Sequence, residues 1–300
     1  MKKFLIIIFG LVILFILIDK AIGFGIEKLI SNQKSDIIFH LKTKVNRKAD
    51  IAILGSSRAE GHYNNNLLSD SLCKYVINYG VPGTGTITQL FIFKNIINSN
   101  KNLKLAILDI KPYEFSDAFD ISELNKIYPL YVNDENLYSL VSEYSTAEFI
   151  KIHCKMYRYN NKVITLLKGV FKDKSYDTSF LNFKGFKNVA ILPNYKEYEY
   201  LNTEDTYLKC INDIIKEAKN ANIKLVFSIS PMYAKIKKSR TIELVDSICL
   251  KNNIPLLNNV AVYKLPEENV LFKDYTHLNK AGAEKFTKEI LTPQLKQILQ

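Results

Sequence analysis

The longest apolar segment of the chain lies at its beginning. Residues Phe4 to Ile18 are apolar without interruption, behind two lysines and ahead of Asp19. As a helix they span roughly 22 Å, which is short for a hydrocarbon core of about 30 Å and also suits a signal peptide. We predict an uncleaved membrane anchor over residues 1–25, because charged residues precede the small-residue pattern at Ala21. A cleaved signal peptide is the alternative.

The charges around this segment predict its orientation. Lys2 and Lys3 are expected to stay in the cytoplasm, since lysines flank the cytoplasmic ends of membrane helices. The rest of the chain then lies outside the cytoplasm, held by the anchor, or is secreted if the segment is cleaved. Residues 26–48 carry apolar side chains at helical spacings among polar ones and are expected to form a stalk.

From residue 49 onward the pattern changes to that of an α/β domain. Short apolar runs typical of strands buried on both faces alternate with helical stretches. This alternation predicts, over residues 49–300, a three-layer α/β/α sandwich with a mainly parallel, flavodoxin-like sheet. The expected strands are Ile51–Leu54, Tyr75–Asn78, Leu103–Ile110, Ile223–Ile229 and Ile254–Leu257, and the expected helices are Thr86–Ser99, Thr203–Asn220, Ser239–Asn252 and Lys280–Leu291.

The alternation is interrupted between residues 113 and 202, which we interpret as an insertion after the third strand. Short helical stretches are expected at Glu135–Ser145 and Ala147–Tyr159. The insertion holds 11 of the 18 tyrosines. Tyrosine rings stack on sugars, and they also serve as half-buried packing residues; the pattern leaves both interpretations open.

Composition narrows the possible partners. The chain is 47% hydrophobic and 24% charged, as in ordinary globular proteins. Its net charge is +11, but only four of its 41 basic residues are arginines and its lysines are scattered, so we expect no nucleic-acid partner. The charge suits solvation and attraction to an anionic glycan or membrane. Its four cysteines form no C-x-x-C pair, so we expect no metal and no cofactor, with disulfides and buried thiols both open.

Two groups of candidate residues follow the first two expected strands. The first strand leads into Gly55-Ser56-Ser57-Arg58, at the edge where α/β sheets bind ligands. A serine at a helix start has backbone N–H groups and the helix dipole beside it, which would stabilise an oxyanion; an ordinary N-cap serine is the alternative. The second strand leads into Asn78–Gly85, whose three glycines indicate close approach to another backbone or to a ligand.

A third group lies before the last expected helix. It contains Asp274 and, three residues later, His277. At this spacing the carboxylate can fix the imidazole tautomer while the other ring nitrogen faces a serine hydroxyl. The alternative is a polar turn in which Asn279 caps the following helix.

Together the three groups resemble the SGNH, or GDSL-like, hydrolase superfamily. The resemblance covers roughly residues 50–291, apart from the insertion. It implies that Ser57 is the nucleophile, with Ser56 in the place of the family's usual Asp. It also implies that His277 is the general base and that Asp274 orients it.

The same resemblance implies the oxyanion donors. Gly83 matches the donor of the family's second block. The third block, usually Gly-x-Asn-Asp, is absent; the chain has Leu108–Tyr113 there, with Lys111 near the Asn position as a candidate cationic donor. The Gly-Ser-Ser block on a membrane-tethered chain is similar to the branch that moves acyl groups onto or off surface polysaccharides.

These features imply a serine-dependent esterase or O-acyltransferase that acts on acylated glycans or small esters at the cell surface. A surface-polymer modification complex is an expected setting. The absent third-block Asn motivates the alternative of a non-catalytic, SGNH-like glycan-binding or scaffold protein. A further alternative is a structural partner in a polymer-assembly complex that uses the apolar helix for protein contacts.

Overall fold

The chain divides into two compact units. The helical unit comprises Met1–Thr43 and Ile121–Asp177, and the sheet unit comprises Lys44–Asp120 and Thr178–Gln300. The central part of the expected insertion at 113–202 thus belongs to the helical unit. The computed structural model describes residues 1–31, 37–116, 118–131, 134–160, 181–187, 196–265 and 267–300.

Helices and strands are numbered in chain order. The first part contains α1 (Lys2–Ser31), α2 (Ile37–Val45), β1 (Ile51–Leu54), α3 (Ser57–His62), α4 (Asn65–Leu72), β2 (Val76–Asn78), α5 (Thr86–Ser99) and β3 (Leu105–Asp109). Next come two 3₁₀ turns (Ile121–Lys126 and Tyr128–Leu130), α6 (Glu135–Tyr144), α7 (Thr146–Lys151) and α8 (Lys155–Tyr159). The last part contains β4 (Lys196–Tyr200), α9 (Asp205–Asn220), β5 (Lys224–Ile229), β6 (Ala234–Ser239), α10 (Arg240–Asn252), β7 (Leu256–Asn258), a 3₁₀ turn (Asn269–Leu271), α11 (Lys280–Lys285), a π-helical turn (Phe286–Leu291) and α12 (Thr292–Leu299).

Five parallel strands form the centre of the sheet unit, in the order β2-β1-β3-β5-β7. Ile51 of β1 lies opposite Val76 of β2 on one side and Leu105 of β3 on the other. β1 and β3 are buried along their whole length, as expected for apolar strands covered by helices on both faces. This is the flavodoxin-like order, so the predicted α/β class and parallel sheet are confirmed.

Helix boundaries depend on local capping. α5 has the expected bounds. α10 begins behind Ser239, whose side chain accepts a hydrogen bond from the Ile242 N–H. α9 begins behind the N-cap Glu204, two residues after the expected start at Thr203.

Two expected helices differ in the structure. The stretch Ala147–Tyr159 is divided at residues 152–154 into α7 and α8. The last helix begins behind Asn279, whose side chain accepts from the Gly282 N–H, and continues through the π-helical turn to Leu299. Asn279 is therefore a helix cap, as the alternative interpretation of its turn has it.

A second, two-stranded sheet was missed by the sequence pattern. β4 and β6 pair in parallel, and most of their side chains are exposed or half-buried. Their sequences, KEYEY and AKIKKS, lack the apolar run of a buried strand. Glu197 instead binds Lys235 at 3.1 Å and Lys237 at 2.6 Å, and pairs of opposite charge stabilise an exposed sheet.

The helical unit contains α1, the one helix in the described part of the chain that is long and apolar enough to cross a membrane. Its apolar side chains from Phe4 to Ile18 are exposed. By length and composition this helix suits a membrane anchor or a signal sequence. Tyr128 and Tyr159 of the same unit are fully buried, which favours packing over sugar stacking at these two positions.

Candidate active site

The turn after β1 places Ser57 at the first position of α3. Gly55 has a φ of +148°, and a Cβ there would lie 2.7 Å from the Ala59 side chain and 3.1 Å from that of Asp109. Glycine is therefore required for the sharp turn. Ser56 is buried, whereas Ser57 is half-buried and can meet a ligand.

Ser57, His277 and Asp274 form one chain of hydrogen bonds. The Ser57 Oγ lies 2.8 Å from the His277 Nε2. The His277 Nδ1 lies 2.9 Å from each carboxylate oxygen of Asp274. With Nδ1–H donating to the carboxylate, Nε2 is left as the acceptor for the serine proton, which is the arrangement of a serine nucleophile with its base.

The loop that carries His277 holds Asp274 as a carboxylate. The backbone N–H groups of Thr276 and His277 donate to its Oδ1 at 2.8 and 2.9 Å, and the Thr276 hydroxyl donates at 3.0 Å. Partial burial acts to raise the pKa of Asp274, but the hydrogen bonds from the His277 ring and Thr276 outweigh it and hold that pKa well below its usual value. The charged form that orients the imidazole is therefore favoured.

Arg58, the residue after the serine, connects α3 to the same loop. Its side chain is 1% exposed. One guanidinium nitrogen donates to the Thr276 carbonyl at 3.0 Å, and another donates to the Ser230 carbonyl and, at 2.9 Å, to the Ser230 Oγ. Because Thr276 directly precedes His277, Arg58 fixes the loop beside the imidazole.

His62, one helical turn after Arg58, holds the other side of the loop. Its Nε2 accepts from the Leu278 N–H at 3.0 Å, so its Nδ1 carries the proton that faces the Ser230 Oγ at 2.9 Å. Complete burial and the nearby Arg58 charge lower the pKa of His62 well below its usual value, which keeps the ring neutral. Sequence analysis missed His62; its i+4 spacing from Arg58 is the signal that places both on one helix face.

Asp109, at the end of β3, completes the support of Arg58. Its Oδ2 lies 3.7 Å from the Arg58 Nε, and its Oδ1 accepts from the Tyr63 hydroxyl at 2.6 Å. Burial raises the pKa of Asp109, and the Arg58 charge opposes that rise. β3 therefore supplies, at Asp109, a carboxylate that stabilises the Arg58 guanidinium.

The glycine loop after β2 packs closely against α3. A Cβ on Gly80 would meet the backbone nitrogen of Glu60, so this glycine serves approach to another backbone. The Asn78 side chain donates to the Ala59 carbonyl at 2.7 Å, which fixes the loop to the helix of the nucleophile. Gly83 follows with a φ of +67°; its role as oxyanion donor stays a prediction.

Lys111 lies in the turn after β3. Its Nζ is 3.2 Å from the Glu114 Oε2 and 5.8 Å from the centre of the Tyr113 ring. The ammonium is thus bound to a carboxylate that partly neutralises it. Its role as a cationic oxyanion donor stays a prediction.

Phe186 covers one side of the His277 ring. It lies on the described segment 181–187, and its ring meets that of His277 edge to face with centroids 5.1 Å apart. Its carbonyl accepts from the Lys280 N–H at 2.8 Å, and a Cβ on Gly61 would overlap its ring. The segment is irregular, so no periodicity could have revealed this contact.

The described residues form neither a cluster of metal ligands nor a disulfide. Within the described ranges, no group of three or more His, Cys, Asp or Glu side chains is placed to hold a metal ion. The four cysteines are free, with Cys73 exposed and Cys210 and Cys249 buried. The buried thiols behave as small apolar packing groups.

The likenesses of this chain to known proteins come from solved structures. No protein-family model matches the chain, and no curated protein does. The crystal structure of a candidate acylhydrolase from Bacteroides fragilis is 12% identical and has a TM-score of 0.45, over 89% of this chain and 100% of that one. A candidate lipolytic protein of the G-D-S-L family from Desulfitobacterium hafniense is 10% identical with a TM-score of 0.41, over 81% and 97%. Because both TM-scores are below 0.5, neither likeness decides what this chain does.

Proposed function

We propose that this protein is a serine-dependent esterase or O-acyltransferase of the SGNH type, acting on ester-linked acyl groups of cell-surface glycans. The observation that carries the proposal is the hydrogen-bonded chain from the Ser57 Oγ through the His277 ring to the Asp274 carboxylate. The Ser57 hydroxyl lies at hydrogen-bonding distance from an imidazole 220 residues away in sequence, and that imidazole binds the carboxylate three residues before it. This is the order of nucleophile, base and orienting acid that acyl transfer needs.

The first half-reaction forms an acyl-serine. The Ser57 Oγ attacks the ester carbonyl while its proton passes to the His277 Nε2, and Asp274 stabilises the imidazolium that results. The backbone N–H groups of Ser57 and Gly83 hold the oxyanion, with Lys111 as a further candidate donor. Collapse of the tetrahedral intermediate breaks the ester C–O bond, and His277 returns the proton to the leaving alcohol.

The second half-reaction depends on the acceptor. His277 takes a proton from water or from a sugar hydroxyl, whose oxygen attacks the acyl-serine, and the proton then returns to the Ser57 Oγ. Water makes the protein an esterase, and a sugar hydroxyl makes it an O-acyltransferase. The residues described here serve both reactions equally.

Two features of the chain support a cell-surface substrate. The apolar part of α1 suits anchoring, with the N-terminal lysines in the cytoplasm and the sheet unit outside. The net charge of +11 favours approach to an anionic polymer or membrane. A surface-polymer modification complex is the setting that we propose for it.

Turnover by the full chain in detergent tests the proposal. We expect wild type to hydrolyse p-nitrophenyl acetate, and Ser57→Ala to lose at least about 10³-fold in kcat because the nucleophile is absent. Ser56→Ala, the matched control on the neighbouring hydroxyl, is expected to retain activity. Adding an acetylated oligosaccharide and an unacetylated acceptor, with products weighed by mass spectrometry, separates hydrolysis from transfer.

The non-catalytic alternative predicts a different outcome. A glycan-binding or scaffold protein would bind the oligosaccharide equally well as wild type and as Ser57→Ala, with no turnover by either. Equal rates for wild type and Ser57→Ala would also contradict the proposal, since the reaction would then proceed without the hydroxyl.

A further inference from the structure

One face of α1 is less exposed than the rest of the helix. Among residues 1–28, Asp19 and Gly23 are buried and Ile26 and Glu27 are half-buried, whereas all others are exposed. These four positions recur at i, i+4, i+7 and i+8, so they share one side of the helix. The face begins directly after the apolar run Phe4–Ile18.

The start of α8 covers this face. The Asp19 carboxylate accepts from the backbone N–H groups of Lys155 at 2.9 Å and Met156 at 2.7 Å, and from the Cys154 thiol at 2.9 Å. Gly23 has no side chain, which lets the Lys155 stem lie against the helix.

Glu27, two helical turns further along the same face, binds the first and the last residue of α8. The Lys155 ammonium binds the Glu27 carboxylate at 2.7 Å, and the Tyr159 hydroxyl donates to it at 3.2 Å. α8 therefore follows α1 with its first residues level with Asp19, where the apolar run ends.

The length of the apolar run determines the depth of that contact in a membrane. Phe4–Ile18 spans roughly 22 Å, several ångströms less than a hydrocarbon core of about 30 Å. Asp19 is therefore drawn toward the boundary of the hydrocarbon, where an unpaired carboxylate is costly. The three donors from α8 and its preceding turn satisfy this carboxylate, which places the start of α8 at the same depth.

Two apolar side chains, one in α7 and one in α8, are only partly covered by the described residues. Met156, whose amide binds Asp19, is 38% exposed, and Ile150, at the end of α7, is 67% exposed. Lys151 beside Ile150 has a side chain 55% exposed, although its ammonium lies 3.4 Å from the Glu148 carboxylate, and Lys20 is exposed as well. Apolar side chains flanked by lysines suit the boundary between acyl chains and anionic headgroups.

We propose that Ile150, Lys151 and Met156 form a lipid-docking face that rests on the phospholipid bilayer at the headgroup–acyl boundary. The proposal rests on the anchoring of α1 proposed above. Its occupant is the bilayer, because Met156 binds Asp19 at the end of the apolar run and the exposed Lys20 directly follows Asp19, where it suits an anionic headgroup. Ile150 and Met156 then supply apolar contact at the boundary where the apolar run ends.

Single-tryptophan fluorescence tests the proposal, because the chain contains no Trp. We would reconstitute full-length Met156→Trp and Ile150→Trp in phosphatidylcholine–phosphatidylglycerol vesicles that contain brominated lipids. We expect blue-shifted emission, protection from acrylamide, and stronger quenching by bromines high on the acyl chain than by bromines near its end. Phe9→Trp, in the middle of the span, is the matched control and is expected to be quenched best by the deeper bromines.

The outcomes separate this proposal from the anchoring itself. If Phe9→Trp is quenched while the other two positions behave like N-acetyltryptophanamide in water, α1 is an anchor and the docking face is wrong. If Phe9→Trp is not quenched, the anchoring fails and the docking fails with it. Protection of both positions from acrylamide without bromine quenching would identify a protein cover and would also overturn lipid docking.

The Asp19 contact supplies a second, independent test. Asp19→Ala removes the acceptor for the first residues of α8, so we expect Met156→Trp to lose its bromine quenching while Phe9→Trp keeps its own. Asp19→Asn retains one carbonyl oxygen as an acceptor and is expected to keep part of the quenching. Unchanged quenching of Met156→Trp in Asp19→Ala would contradict the role of this contact.

Discussion

At the scale of single residues, the loop that carries His277 is held from both sides by α3. Arg58 binds the carbonyl before the imidazole, and His62 accepts from the N–H after it. Both side chains are buried, and they bind the loop at Thr276 and Leu278, on either side of His277. We interpret them as positioning residues that fix the imidazole relative to the serine on the same helix.

His62→Leu tests this positioning. The substitution leaves the Leu278 N–H without its acceptor, which is expected to lower the free energy of unfolding by about 1–3 kcal/mol. We expect kcat on p-nitrophenyl acetate to fall about tenfold with KM little changed, because the displaced imidazole affects the reaction more than substrate binding. His62→Gln, which can both donate and accept, is expected to recover part of the loss.

The dependence of thermal stability on pH tests whether His62 is held as a neutral imidazole. The pKa of His62 is depressed in the folded chain, so the unfolded chain binds more protons as the pH falls below about 6.5. Wild type is therefore expected to lose melting temperature on acidification through that range, and His62→Gln to lose less. Identical pH profiles of wild type and His62→Gln, with equal kcat in His62→Leu, would contradict the positioning role.

At the scale of elements, prediction from sequence succeeded where burial produces a strong pattern. β1 and β3 are apolar throughout, and α5 is a long helix bounded by a glycine and an asparagine. It placed a helix start at the serines after β1 but gave no bounds for α3, which has only six residues, and it failed for the exposed two-stranded sheet of β4 and β6. Those elements depend on contacts between distant segments, which periodicity does not contain.

The segment 181–187 and α3 provide an element-scale prediction. A Cβ on Gly61 would overlap the Phe186 ring. We therefore expect Gly61→Ala to lower the free energy of unfolding by about 1–3 kcal/mol and to displace Phe186 from His277. Phe186→Ala removes the obstacle. Thermal unfolding of both single variants and the double variant is therefore expected to show that the second substitution offsets much of the first.

The test depends on whether the effects of Gly61→Ala and Phe186→Ala on melting temperature are additive. If the losses of melting temperature in Gly61→Ala and Phe186→Ala simply add in the double variant, the two side chains do not compete for the same space. The contact of Phe186 with α3, and with it the cover over His277, would then be wrong.

At the scale of the whole molecule, sequence analysis predicted the α/β class and singled out Ser57, Asp274 and His277. The structure brings those three side chains together, because Ser57 follows β1 at the carboxyl edge of the sheet and the His277 loop precedes α11. Arg58 was visible in its motif, but its role was not, because Thr276 and Ser230 lie far away in sequence. The division into a helical and a sheet unit likewise depends on long-range contacts.

The central claim is that the His277–Asp274 pair activates the hydroxyl of Ser57. The most direct test is labelling of the full chain in detergent with a fluorophosphonate, followed by mass mapping of the adduct. The account predicts an adduct on Ser57 that is retained in Ser56→Ala and disappears in Ser57→Ala and His277→Ala. A folded wild type that takes no label, or an adduct on any other serine, would contradict it.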